Sequence, residues 1–129
     1  MLLDPPRTEY GSLTEHRQRV FTLIVEFQRA VARPRGLRDA VAILQALVPS
    51  SRAYFAVVES LLDRITAAGA APHRDQHRRI LAEMKQTLDR CAAPDAKPLA
   101  ADLAHALDAL VIHEATIRLR DSVELAPAC

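Results

Sequence analysis

The chain has 129 residues and a mass of 14.2 kDa, the size of one domain and too small for two separate cores. Half of it is hydrophobic and 26% is charged, which excludes global disorder, while 4% aromatic residues and only 3 glycines argue against an all-β sandwich. Lys and Arg number 17 against 16 Asp and Glu, a net charge of +1 without the basic excess of a nucleic-acid face.

The opening Met1-Leu2-Leu3-Asp4-Pro5-Pro6 has neither the basic start nor the apolar run of a secretory signal. No unbroken apolar run reaches the ~18 residues of a membrane span. A cytoplasmic location without membrane contact is expected. Cys91 and Cys129 have no metal-ligand spacing and form no disulfide framework.

Proline and glycine divide the chain into four segments of helical periodicity. The first helix is expected over residues 13–32, with Ser12-Leu13-Thr14-Glu15 as a capping box. Its inward stripe is Leu13, His16, Val20, Leu23, Phe27 and Val31. The second is expected from Leu37 to Ala68, with Leu44, Leu47, Ser51, Tyr54, Val58, Leu61 and Ile65 inward. Pro49 lacks an amide hydrogen and is expected to kink it. The third begins near Pro72, a favoured first-turn residue, and ends at Cys91. Its stripe is His73, His77, Ile80, Met84 and Leu88. The fourth runs from about Pro98 to Val123, with Leu99, Leu103, Leu107, Leu110, His113 and Ile117 inward. Short breaks between amphipathic helices predict an all-α, antiparallel up-down-up-down four-helix bundle. Residues 1–12 are then an N-terminal arm, 13–123 the bundle and 124–129 a tail.

Four of the five histidines fall on the inward stripes: His16, His73, His77 and His113. His73 and His77 lie one turn apart on one helix face, so both imidazoles can reach one ion. His105 is off the line. Buried imidazoles need partners, and two readings satisfy them: a shared metal ion, or a hydrogen-bonded network with Tyr54.

This pattern resembles the hemerythrin family. His16 in Thr14-Glu15-His16-Arg17-Gln18-Arg19-Val20-Phe21 looks like that family's first ligand. Leu44, Leu47, Val48 and Phe55 are similar to its second helix. His73-Arg74-Asp75-Gln76-His77 matches its His-x-x-x-His, and Leu110-Val111-Ile112-His113 its last ligand histidine. The resemblance covers about residues 14–119. It implies a four-helix bundle around two oxo-bridged irons that bind dioxygen reversibly.

The departures change that implication. The family's second-helix histidine is replaced by Tyr54, its bridging Glu by Val58 and its bridging Asp by Arg118. Glu59 and Glu114 each stand one residue, about 100°, from an inward position. Two neighbouring cations need bridging anions, and a fixed charge at Arg118 about 6 Å from a divalent ion costs roughly 5 kcal/mol at an effective dielectric of about 20. The set His73, His77 and His113, which binds one iron in the family, is complete. The resemblance therefore implies a degenerate di-iron site holding one metal ion, iron before zinc, on these three histidines. His16 and Tyr54 would line its open side, Tyr54 as a phenolate ligand or as a hydrogen-bond donor. Arg118 would orient an anionic ligand.

The expected role is sensing, binding of a small gas or anion, or a small metalloenzyme activity, rather than dioxygen carriage, in a monomer or homodimer. The alternative is a metal-free bundle that binds a small anionic molecule or acts as a regulatory or scaffold protein. A third reading makes His77 or Tyr54 an acid or base and Arg118 an anion clamp. No nucleophile triad or glycine-rich phosphate loop accompanies it.

Overall fold

In the computed structural model the backbone is described for residues 5–91 and 100–125, and the side chains for 12–91 and 101–116. The helices in chain order are α1 (Pro5–Ala32), α2 (Leu37–Ile65), α3 (Ala71–Cys91), α4 (Ala100–Ala106) and α5 (Asp108–Leu125). There is no strand among the described residues. The protein is an all-α helical bundle, as its periodicity predicts.

The boundaries depart from the expected ones for local reasons. α1 starts at Pro5 rather than at residue 13. Proline lacks an amide hydrogen, which a first helical turn does not use. Ser12 and Glu15 therefore lie inside the helix, and the expected capping box and, from Pro5 on, the expected arm are helical backbone, while residues 1–4 lie outside the described residues. α2 ends at Ile65 because Thr66 turns extended, at φ −126° and ψ 148°. The Thr66 hydroxyl donates to the Leu62 carbonyl at 3.0 Å. Ile65, expected inward, is 65% exposed. α2 continues through Pro49, whose ring faces solvent.

The expected fourth helix is two. A turn at Leu107 separates α4 from α5, and His105 and Asp108 meet across it at 2.9 Å. α5 runs on to Leu125, past the expected end at Val123. Leu99, Cys129 and most of the expected tail lie outside the described residues, as do the side chains of Ile117 and Arg118.

α1 packs along α2, α2 on α3, α4 against all three, and α5 on α4. The core joins Val20 and Phe27 of α1, Leu44, Leu47, Tyr54 and Phe55 of α2, Met84 of α3 and Leu103 of α4 to Leu110 of α5. Each such buried side chain contributes about 1.5–3 kcal/mol of transfer free energy. Among the described residues α2 is the one helix long and apolar enough, by length and composition, to cross a membrane. The count of unbroken apolar residues missed this, because Gln45, Pro49, Ser50, Ser51 and Arg52 interrupt the run.

The α2–α3 connection is fixed by Gly69 and Asp63. Gly69 sits at φ +62°, in the left-handed region that favours glycine, and a Cβ there would meet Asp63 Oδ1 at 2.7 Å. Asp63 Oδ1 accepts the Ala70 amide hydrogen at 2.8 Å, at the start of α3.

Candidate functional site

α3 places His73 and His77 one turn apart, and α5 brings His113 against them. The ring centroids of His77 and His113 are 5.0 Å apart, and His73 stands 5.7 Å from each. His77 Nε2 lies 3.2 Å from His113 Nε2. His77 is 2% exposed and His113 9%, while His73 is half-buried. Phe55 lies flat on His77, centroids 3.9 Å apart and planes 2° from parallel, and meets His113 edge to face. One face of the His77 ring is thereby closed to water.

A carboxylate sets the tautomer of His77. Its Nδ1 is 2.9 Å from Glu59 Oε2 and donates its proton there. A neutral ring so held carries its lone pair on Nε2, the atom facing His113. Glu59 is held in turn by Arg74, 3.2 Å from its Oε1. Arg74 also donates to Asp63 Oδ2 at 2.6 Å. Burial holds His77 below the usual histidine range despite the neighbouring carboxylate. Burial, with His77 and His73 alongside, pushes His113 down to about 4. Both rings are neutral at neutral pH and able to ligate.

Two imidazole nitrogens bound to one tetrahedral ion at about 2.0–2.1 Å lie about 3.3 Å apart, and rings sharing an ion put their centroids about 5 Å apart. His77 and His113 meet both conditions, and His73 stands slightly wide of the second. Among the described residues, no group of three His, Cys, Asp or Glu side chains is arranged to hold a metal ion. The donor set thus fits a metal at two positions, with the third ring adjacent.

Tyr54 belongs to a second network at the α1 side. Its hydroxyl donates to Glu114 Oε2 at 2.9 Å and accepts from Arg17 Nε at 3.3 Å. Burial, chiefly, pushes the phenol up to about 12. It is a protonated donor in this geometry, not a phenolate. His16 is half-buried on α1 and is not among the rings in contact with the cluster. Val58 packs against the core from a half-buried position. The Arg118 side chain is outside the described residues. His105 is exposed, as its position off the stripe predicts.

Glu59 and Glu114 are the residues of the candidate site that sequence reasoning set aside. A position 100° from the inward line faces a seam between helices rather than open solvent. The available signal was an acid bordering the apolar stripe on each helix. Comparison of the chain with known protein families, with curated proteins and with solved structures returns no match.

Proposed function

We propose that this chain is a hemerythrin-like, antiparallel up-down-up-down four-helix bundle that holds a single metal ion, iron in preference to zinc, on His73, His77 and His113. The observation that carries this reading is His77. Its Nδ1 is engaged by Glu59 and its Nε2 faces His113 Nε2 at 3.2 Å. A carboxylate on the far nitrogen orients a ligating imidazole and raises its basicity. Phe55 excludes water from one face of that ring. The bound ion would supply Lewis acidity or a redox couple there. Val58 supplies no bridging carboxylate, so a role in sensing, ligand binding or a small metalloenzyme activity is favoured over dioxygen carriage. Arg118 is proposed to orient an anionic ligand.

Metal analysis and an optical spectrum test this on protein produced with added iron or zinc. About one ion per chain is expected, with Glu59→Gln weakening its affinity about 10–100-fold at unchanged helix content. Two bridged irons, or no uptake, overturns the reading.

The second reading is a metal-free network. The His77–His113 separation also suits one Nε2–H to Nε2 hydrogen bond, and Tyr54, Glu114 and Arg17 form a second bonded set. An ion bound only by the folded chain raises the melting temperature by mass action. A melt unmoved by chelator favours the network and a regulatory or scaffold role.

A further inference from the structure

The near-neutral total charge conceals a local excess. Between Phe27 and Val58 the chain carries five arginines and a single acid, Asp39. Four of the arginines, Arg29, Arg33, Arg35 and Arg38, fall within ten residues, from the last turn of α1 through the four-residue connection to the first turn of α2. All four are exposed. Asp39 meets Arg33 at 3.4 Å, with both side chains in solvent. Arg29, Arg35 and Arg38 have no partner among the described residues. Four arginines against Asp39 leave +3 at this end of the α1–α2 pair, so with +1 overall the rest of the chain carries −2.

The backbone beneath these charges is fixed. The Ala30 carbonyl accepts the Arg33 amide hydrogen, the Arg33 carbonyl that of Gly36, and the Gly36 carbonyl that of Ala40. Gly36 is buried so closely on α1 that a Cβ there would strike the Ala30 carbonyl. Pro34 removes further backbone freedom. The guanidinium groups therefore leave from a rigid, convex turn, where they repel one another until an anionic partner arrives.

The chemistry around them selects that partner. The hollow between Arg33, Pro34 and Arg35 is open, and Asp39 on its wall opposes a small anion. No aromatic residue occurs from Gln28 to Ala53, so nucleic-acid bases have nothing to stack on. A plane of lipid headgroups asks for neither a pocket nor stacking. It meets a convex end on charge alone, each guanidinium fork taking phosphate oxygens.

We propose that the α1–α2 end is a docking surface for a membrane leaflet rich in anionic phospholipid. Such contact is peripheral and needs no spanning segment. Phe55, which lies on His77, is 17 residues or about 26 Å of helix beyond Arg38, so end-on docking holds the imidazole cluster away from the lipid. The surface stands whether or not a metal is bound.

The test is co-sedimentation of the full, chelator-treated chain with vesicles of phosphatidylcholine alone, and of phosphatidylcholine with about one part in three phosphatidylserine. One basic side chain beside an anionic leaflet strengthens binding about fivefold, so a net +3 predicts a preference of about 100-fold for the mixed vesicles at about 0.1 M salt, lost at about 1 M. Arg35→Ala combined with Arg38→Ala should weaken that binding about 25-fold. Arg19→Ala combined with Arg52→Ala changes the net charge equally, at exposed positions 14 residues or about 21 Å of helix from Arg33 and Arg38, and should leave it within about twofold. Circular dichroism establishes that both double variants fold. Equal binding to the two kinds of vesicle, equal loss in the two variants, binding that survives high salt, or no binding overturns the proposal. So does tighter binding to double-stranded DNA than to the mixed vesicles.

Discussion

Among the described residues, His113 carries the clearest acid-sensitive contribution. Its folded pKa is pushed down to about 4, against about 6.5 for an ordinary histidine. Between those values the unfolded chain binds a proton that the folded chain refuses. Stability is therefore complete above pH 6.5 and declines as pH falls toward 4. His77 acts in the same direction. Chelator-treated protein is expected to melt at progressively lower temperature from pH 7 to pH 4, and His113→Leu to flatten that slope, as followed by circular dichroism. The three clustered imidazoles were legible because helical periodicity fixes which face a Cα presents. Glu59 and Glu114 were not, because a flexible carboxylate side chain reaches into a seam that its Cα angle does not indicate. His16 shows the converse: a place on the inward stripe does not by itself bring a ring to the cluster.

At the scale of single helices, α2 contains its own imperfection. Pro49 cannot donate a backbone hydrogen bond to Gln45, and an interior proline costs about 3 kcal/mol relative to alanine. Its ring is exposed, so little packing offsets that cost. Pro49→Ala is expected to stabilise the protein by about 2–2.6 kcal/mol, once about 0.4–1 kcal/mol of lost rigidity in the unfolded chain is deducted. Urea denaturation measures it. That four helical segments exist could be read from apolar spacing. Their ends could not, since Thr66, Gly69 and the His105–Asp108 pair act through local backbone geometry. The break at Leu107 was hidden because the apolar stripe runs unaltered across it, through Leu103, Leu107 and Leu110.

Across the whole molecule, order is distributed unevenly. α1 and α2 are buried against each other, and among the described side chains of α5 it is Leu110, His113 and Glu114 that reach the rest of the protein. Amide exchange is expected to be slowest in α1 and α2 and faster in α5, with protection of α5 rising on metal binding through His113. The all-α class and order of the helices follow from composition and periodicity. The way α5 seats on α4 does not, because it depends on which of several apolar faces find a partner. Asp63 connects these levels. One of its oxygens fastens the joint between two rods, and the other grips Arg74, which steadies Glu59, which fixes the proton on His77. Assembly of the scaffold and the basicity of the imidazole are thus wired in series. A change in that short connector is transmitted to the interior, and this loop is not free to drift independently of the chemistry it supports.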